Sequence, residues 1–401
     1  MKTQFQRVRQ IQTIAAICLS IAIAVPCQSP SAEVSKRQAA IVLEQQGKTA
    51  DAEAAWHAIA AGNPKDAEPY AHLGLLQARQ EHYKDAILNY RKALALNPKF
   101  PNLRVNLGLS YFKAGEMNET IQTYEPMLKN MSPSSPERAR VVALTGLAHY
   151  GLGNYSAAAP YLKEAVADDP TNLEFRLMHA HSCLWTKQFQ CTLDEYKEIL
   201  TLSPDSAEAH MLAGEAYDGE RFEAKAIEEF EAAIKKDPTL PNVHFGYGYM
   251  QWRLLNLDLA AAQFEAELAN NPDHPLALTY LGDTKIRQNQ FEAALPLLEH
   301  AIKVGPSIAL AHLDLGVAYQ NQNRNDDALK EYQIAAKLNP HDQKVHWTLG
   351  RFYQSLGRTA EAKIELQKAQ SLQKAADESV LDKIRQAKPR TSGPGLDTPA
   401  K

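Results

Sequence analysis

Prolines recur along this chain at an interval of 34 residues, and a single step in the series, from Pro98 to Pro136, is longer. A fixed period of this length indicates that one supersecondary unit is copied and stacked, because so small a unit cannot bury its apolar face alone. The sequence therefore predicts an extended array, whose function lies in a surface rather than in one enclosed pocket. The series is Pro64, Pro98, Pro136, Pro170, Pro204, Pro238, Pro272, Pro306 and Pro340.

Each period contains two helix-like stretches separated by a short turn. Between Ala207 and Pro238, apolar residues recur at spacings of three and four on both sides of a turn at Asp218 to Arg221, which is the pattern of a helical hairpin. The proline ends the second helix, because it lacks an amide hydrogen and disfavours helical geometry in the residue before it.

Three positions of the repeat carry a size pattern. We number positions from the first residue of each repeat, with repeats starting near residues 33, 67, 101, 139, 173, 207, 241, 275, 309 and 343. Position eight is always glycine or alanine, position twenty is alanine or threonine, and position twenty-four is always large. A glycine inside a helix costs about 1 kcal/mol relative to alanine. We therefore interpret the small residues as points where the helices of a hairpin approach closely, and position twenty-four as filling the seam against the neighbouring repeat.

These residues resemble the tetratricopeptide repeat family. The resemblance rests on Leu-Gly pairs such as Leu73-Gly74, Leu281-Gly282 and Leu315-Gly316, each followed by the alanine, the large residue and the proline described above. Repeat five departs from the pattern, with His179-Ala180 in place of the pair. The resemblance implies an all-α fold, a right-handed α-solenoid of about ten tandem hairpins over residues 33–370, followed by a C-terminal capping helix.

The two ends of the chain differ from the array. Residues 371–387 predict the capping helix, with Val380, Leu381 and Ile384 on one face, since an open end must hide apolar surface from water. Residues 388–401 are rich in Pro, Gly, Ser and Thr and predict a disordered tail.

The amino-terminal residues 1–32 are typical of an export signal. Three basic residues precede an apolar run from Ile14 to Val25, about twelve residues against the roughly 20 that a membrane span needs. Cleavage between Ala24 and Ala32 would leave an exported protein, periplasmic or extracellular. The alternative is that the segment stays uncleaved and anchors the protein in the inner membrane, which would be its contact with lipid.

The composition restricts the partner and the chemistry. With 43 basic and 47 acidic residues the net charge is −4, which argues against a nucleic-acid partner, since that would call for a basic stripe. No phosphate-binding loop, nucleophile elbow or HExxH motif occurs in the sequence, so we expect a non-enzymatic protein without cofactor or metal. The resemblance implies an adaptor that binds other proteins, and similarity to periplasmic repeat proteins suggests the bacterial cell envelope.

The family resemblance implies that the first helix of each hairpin lines an inner groove, with positions two, five, nine, twelve and thirteen facing into it. In repeats two to four, positions five, nine and twelve are apolar, whereas repeats six and seven place Glu215, Asp218, Phe245, Tyr249 and Trp252 there. Such a surface suits a peptide or an amphipathic helix, with aromatic and arginine side chains as anchors. The predicted groove residues are Leu109, Phe112, Leu147, Tyr150, Trp185, Glu215, Phe245, Tyr249, Trp252, Arg253 and Arg287.

Two specialised binding modes of the family are not supported. Members that clamp a terminal carboxylate use lysine at position five and asparagine at position nine, where repeat seven has Phe245 and Tyr249. Members fused to sugar-transferring enzymes carry asparagines at position six, which this chain lacks in all repeats but the third. A glycan-presenting accessory subunit stays open as the alternative function, because Trp185 and Trp252 could stack on sugar rings.

Repeat five contains the two cysteines of the array. Cys183 and Cys191 fall at positions eleven and nineteen, on the two sides of the hairpin turn. They form either a disulfide or two free thiols, because the separation of the two residues cannot be read from sequence. His179 and His181 lie nearby, but alternate residues of a helix point to different sides, so we expect no metal site.

Overall fold

The computed structural model describes residues 32–386. This part of the chain holds twenty helices and no strand, which confirms the predicted all-α solenoid. The helices are α1 (Ala32–Gln45), α2 (Thr49–Gly62), α3 (Glu68–Arg79), α4 (Tyr83–Leu96), α5 (Leu103–Lys113), α6 (Met117–Leu128), α7 (Arg138–Gly151), α8 (Tyr155–Asp168), α9 (Leu173–Trp185), α10 (Phe189–Leu202), α11 (Ala207–Gly219), α12 (Glu223–Lys236), α13 (Val243–Arg253), α14 (Leu257–Asn270), α15 (Pro275–Arg287), α16 (Phe291–Val304), α17 (Ala309–Asn321), α18 (Asn325–Leu338), α19 (Gln343–Ser355) and α20 (Thr359–Gln386).

The predicted terminal segments lie outside this range. The export segment, except for its last residue, and the tail at residues 388–401 are not among the described residues. The side chains of the predicted capping face, Val380, Leu381 and Ile384, also lie outside them. Between residues 32 and 386, none of the helices combines the length and the apolar character that a membrane crossing requires.

The chain forms two compact units that divide between Leu152 and Gly153. The first unit holds α1 to α7 and the second holds α8 to α20. Within each unit, odd and even helices pair as antiparallel hairpins, for example α3 with α4 and α11 with α12. The two helices of repeat four, α7 and α8, belong to different units.

The hairpin turns share one backbone conformation. The residue at position fifteen has a positive φ in every repeat, including Leu255 at 64° and Gly357 at 73°. This left-handed residue closes the first helix: in repeat two, the N–H of His82 donates to the carbonyl of Gln77 at 2.9 Å, and the N–H of Glu81 donates to that of Ala78 at 3.1 Å. That is the Schellman arrangement, which satisfies the last carbonyls of a helix.

The large residue at position twenty-four packs first on its own repeat. A Cβ atom at Gly282 would lie 2.6 Å from the Leu298 side chain, and one at Gly316 would lie 2.6 Å from the Tyr332 ring. Tyr332 also contacts Phe352 of the next repeat, with ring centroids 5.1 Å apart. The sequence-based interpretation assigned this residue to the seam between repeats alone. It covers the glycine of its own hairpin and reaches the next repeat with its outer edge.

The predicted capping helix is not a separate helix. Residues 371–386 continue α20, which runs without a break from Thr359 to Gln386. Earlier repeats end at a proline such as Pro340, whereas residues 371–374 read SLQK and contain neither proline nor glycine. Nothing in the sequence therefore stops the second helix of repeat ten at the usual place.

Candidate interaction surface

The predicted groove residues of the first unit lie on first helices of hairpins. Leu109 and Phe112 belong to α5, and Leu147 and Tyr150 belong to α7. All four are half-buried, so each presents part of its side chain while the rest packs within the fold. Their role in binding stays a prediction.

An aromatic cluster lies on α13 and α15 in the second unit. We define it as Phe245, Tyr249, Trp252 and Tyr280. The Tyr280 ring centroid lies 6.0 Å from Phe245, 5.1 Å from Tyr249 and 4.9 Å from Trp252. Tyr249 is 36% exposed, and the other three are half-buried against Phe264 and its neighbours. The rings thus form one continuous surface that is part core and part solvent-facing.

Charged side chains flank the aromatic cluster. The indole Nε1 of Trp252 and the Nε of Arg287 both donate to Oδ2 of Asp283. The Arg287 guanidinium also stands over the Trp252 ring, 4.4 Å from its centroid, in a cation–π arrangement. The aspartate therefore fixes both an aromatic and a cationic side chain of the predicted groove.

Asp314, in repeat nine, is a further buried acid near Asp283. It is 3% exposed, and its Oδ2 has no hydrogen-bond partner among the described residues. Burial and the neighbouring charge of Asp283 raise the pKa of Asp314 well above its ordinary value. A carboxyl in this position is stabilised in its neutral form.

A second charged group lies on α11 and α13. Asp218 accepts a hydrogen bond from the Arg253 guanidinium, so these two charges neutralise each other. Glu215 is half-buried and makes no hydrogen bond or ion pair within residues 32–386. Burial and the charge of Asp218 raise the pKa of Glu215 to about 7.

Trp185 lies on a different part of the second unit. Its ring is 62% exposed and stacks on Tyr155, with centroids 5.5 Å apart and planes inclined by 23°. Its Nε1 donates to Nε2 of His181 at 2.9 Å. The structure therefore places Trp185 at the end of α9, beside the start of α8, in a local aromatic group.

The two cysteines of repeat five are joined in a disulfide that connects α9 to α10, with Cα atoms 5.9 Å apart. Nε2 of His179 lies 3.5 Å from the Cys183 sulfur and 3.7 Å from the Cys191 sulfur, while its Nδ1 lies 3.0 Å from Glu195. The three potential metal-ligand atoms lie within 4.8 Å of one another. Thiolates rather than disulfide sulfurs are metal ligands, so the bonded form leaves the histidine as the group's one good ligand.

Sequence reasoning missed two members of this surface. Tyr280 and Asp314 occupy position six of their repeats, which was compared only with the asparagine ladder of other family members. The sequence did contain this information. Positions six and nine are three residues apart, so a residue at position six shares a helix face with the predicted groove residue at position nine.

Family models match the array over most of its length. A model described as TPR repeat matches residues 79–115, and one described as tetratricopeptide repeat matches residues 106–172, 223–275, 279–324 and 313–379. Together they cover more than half of the chain.

Individual relatives are distant. The chain is 22% identical to the peroxisomal targeting signal receptor of Candida albicans, over 52% of this chain and 36% of the relative. It is 27% identical to the BBSome complex member BBS4 of Bos taurus, over 43% of this chain and 32% of the relative. The chain thus spans about a third of the length of these two relatives.

Among solved structures, a human IFIT1 dimer with m7Gppp-AAAA aligns with 80% of this chain and 83% of its own. The TM-score is 0.49 and the identity 19%. Likeness at this level says nothing about what this chain binds.

Proposed function

The chain belongs to the tetratricopeptide repeat family, whose repeats form protein–protein interaction scaffolds, and we propose that it is a non-enzymatic adaptor that binds a peptide or an amphipathic helix. The first helices of the repeats carry the binding residues, and α13 and α15 supply the anchoring surface. The names of the two distant relatives, a receptor and a complex member, describe association and support this role.

The aromatic cluster is the observation that carries the proposal. Single apolar residues on a surface need no explanation, but contiguous patches mark interaction sites. Four aromatic rings in one connected cluster, with Arg287 over the Trp252 ring and Arg253 on the same helix as Trp252, have the composition of a binding hot spot. Helical recognition in such a groove uses apolar anchors at spacings of three and four.

The net charge of −4 supports a protein rather than a nucleic-acid partner, because phosphate binding depends on clustered lysine and arginine. Both arginines of this surface are paired with an acid, Arg253 with Asp218 and Arg287 with Asp283. A paired, mixed-charge rim is typical of a protein interface.

We place the adaptor in the cell envelope on the strength of residues 1–32, which have the charge and apolar pattern of an export signal. Mass spectrometry of the mature amino terminus tests this. A first peptide that begins between residues 25 and 33 supports export with cleavage. A peptide that begins at Met1 contradicts it and favours the anchored alternative.

The binding function is tested with a displayed library of 12-residue peptides panned on the full chain. We expect enrichment of peptides with spaced apolar residues, and a loss of affinity of about tenfold or more in the Tyr249→Ala variant. Leu259→Ala on α14 is the matched control, since it removes a similarly exposed apolar side chain from a second helix. Failure to enrich any peptide over bare support would overturn the proposal, as would equal loss in the two variants.

A glycan-presenting role is the second candidate, and the exposed Trp185 stacked on Tyr155 favours it. Flat aromatic faces of this kind can stack on sugar rings. A glycan array probed with the full chain and with Trp185→Ala decides between the two. Retention of a polysaccharide that the variant loses, together with no peptide enrichment, would favour the glycan role.

A further inference from the structure

Repeat five departs from the other repeats at three positions that meet at one point. Position seven is His179, where repeats two and nine place Leu73 and Leu315. Positions eleven and nineteen are Cys183 and Cys191, and no other repeat has a cysteine. The imidazole nitrogen and the two sulfurs lie within 4.8 Å of one another. We call these three residues the His–Cys–Cys group.

The imidazole of His179 presents one nitrogen to the sulfurs and the other to a carboxylate. Its Nε2 lies 3.5 Å from the sulfur of Cys183 and 3.7 Å from that of Cys191, and its Nδ1 lies 3.0 Å from Oε1 of Glu195. Glu195 also pairs with Arg176 at 2.6 Å, and an ionised carboxylate can only accept hydrogen bonds. Nδ1 therefore carries the proton that Glu195 accepts, and the neutral ring directs the lone pair of Nε2 at the sulfurs.

The disulfide gives this lone pair nothing to bind. His179 is 5% exposed, and within residues 32–386 its Nε2 has no nitrogen or oxygen partner. The sulfurs of a disulfide carry no hydrogen atom, so they cannot donate to it. A buried acceptor that stays unsatisfied is costly. Two thiolates and an imidazole, in contrast, are a ligand set that zinc prefers.

The distances fit a tetrahedral zinc ion. Zinc bonds to sulfur at about 2.3 Å and to histidine nitrogen at about 2.0 Å, so tetrahedral angles place a bound sulfur and nitrogen about 3.6 Å apart. The two Nε2-to-sulfur distances, 3.5 and 3.7 Å, bracket this value. The same geometry needs the two sulfurs about 3.8 Å apart. Rotation of the cysteine side chains can provide this once the bond between them is reduced, since their Cα atoms are 5.9 Å apart.

The surroundings of the group also suit an ion. A ligating histidine usually donates its other N–H to a carboxylate, which fixes the ring, and Glu195 stands in that place. Arg176 holds Glu195 and donates from Nε to the carbonyl of Pro170 at 2.7 Å. Cys183 is buried, whereas Cys191 is half-buried. The side of Cys191 therefore gives an ion access, and a fourth ligand position is left for water.

We propose that repeat five, in its reduced form, binds one zinc ion through Nε2 of His179 and the thiolates of Cys183 and Cys191, with Glu195 as a positioning residue. Each thiol releases its proton when the ion binds, and the disulfide form excludes the ion. The expectation of no metal site was argued from His181, which is not a member of this group. The inference goes beyond the proposed function and does not depend on it.

The test begins with the full chain, reduced by an excess of a phosphine. The phosphine becomes a phosphine oxide with the oxygen atom of water, and the two hydrogen atoms of that water complete the two thiols. Equilibrium dialysis against zinc chloride, followed by metal analysis, measures uptake. We expect the reduced chain to hold one zinc ion more than the oxidised chain. Cobalt(II) in place of zinc should give the absorption of a thiolate-to-metal charge transfer.

Zinc should also raise the urea midpoint of the reduced chain, because it binds the folded form, and leave that of the oxidised chain unchanged. Glu195→Gln should weaken zinc binding about tenfold, as for other partners of ligating histidines, and His179→Gln should weaken it further. His181→Gln is the matched control, since it changes another imidazole of α9, whose Nε2 accepts from Trp185. His179→Leu, which restores the residue type of the other repeats, provides a second variant if His179→Gln does not fold.

Three results would overturn the proposal. The first is equal zinc uptake by the reduced and oxidised chains. The second is undiminished uptake, or undiminished cobalt charge-transfer absorption, in the double variant Cys183→Ala and Cys191→Ala, which would assign the ion to the other cysteines. The third is equal weakening by His179→Gln and His181→Gln, which would exclude the imidazole of His179 as a ligand.

Discussion

His312 and Glu331 join the two helices of repeat nine through a 2.6 Å hydrogen bond between imidazole Nδ1 and carboxylate Oε2. Nε2 of the same ring lies 3.1 Å from the carbonyl oxygen of Pro306, in the turn before the repeat. The arrangement recurs in repeat ten, where His346 lies 2.5 Å from Glu365 and 2.9 Å from the carbonyl of Pro340. Both ring nitrogens face oxygen atoms, so each imidazole links the second helix of its repeat to the turn before the first helix.

Replacing His312 with phenylalanine should therefore destabilise the array. The change leaves buried Glu331 and the turn carbonyl without their partner, at a cost of about 1 to 3 kcal/mol in free energy of unfolding. Urea unfolding measures it, and His57→Phe on the exposed face of α2 is the control. In a double-mutant cycle with Glu331→Gln we expect a coupling of about 0.5 kcal/mol or more. Strict additivity would refute the bridge.

The position of these histidines was predictable, but their chemistry was not. His312 and His346 both stand at position four of their repeats, and recurrence at the repeat period indicates a packing position. The structure shows a polar bridge instead, which also occurs as Arg176 with Glu195. The sequence does contain a pattern that pairs these residues, because an acid or amide stands nineteen residues after each basic residue. The repeat period alone indicates that a position is buried and does not identify its partner.

The fold could be predicted from the sequence at positions where the residue type has a single physical explanation. The glycines of position eight could be assigned because a close approach demands a small residue, whereas position twenty-four was assigned to the seam between repeats and not to the glycine that it covers. The left-handed turn residue at position fifteen could not be predicted, because Leu255 and Lys187 have this conformation although neither residue type favours it. The aromatic cluster was found except for Tyr280, whose contacts cross from one repeat to the next.

Filling position eight tests the packing of the hairpins. A Cβ atom at Gly214 would lie 3.1 Å from three atoms of the Phe230 ring, so Gly214→Leu should overpack repeat six and lower the free energy of unfolding by about 1 to 3 kcal/mol. Gly62→Leu is the matched control, because a Cβ atom there meets nothing within 4 Å. If chemical unfolding shows equal effects in the two variants, the close contact at position eight is not what holds the hairpin.

Reduction of the disulfide should loosen repeat five. Cys183 and Cys191 are eight residues apart, and opening a loop of this length costs about 2.5 kcal/mol by the chain-entropy estimate. Urea unfolding of the wild type with and without dithiothreitol measures the loss. The double variant Cys183→Ala and Cys191→Ala should be insensitive to the reductant, which separates this bond from any effect of the other cysteines. An unchanged midpoint for the reduced wild type would contradict the prediction.

Glu215 should make the stability of the array depend on pH. Its folded pKa, raised to about 7 from an ordinary value of 4.5, means that between these values the folded chain holds a proton that the unfolded chain has released. Stability from this group is therefore present below pH 4.5 and is lost as the pH rises through 7. Glutamine cannot ionise, so Glu215→Gln should match the wild type near pH 4 and exceed it by about 1 to 3 kcal/mol at pH 8.

Urea unfolding of Glu215→Gln at several pH values measures this difference, and Glu228→Gln on exposed α12 is carried alongside as the control. The control should run parallel to the wild type, because an exposed carboxyl exchanges its proton alike in the folded and unfolded chain. Parallel curves for Glu215→Gln as well would mean that its carboxyl is hydrated.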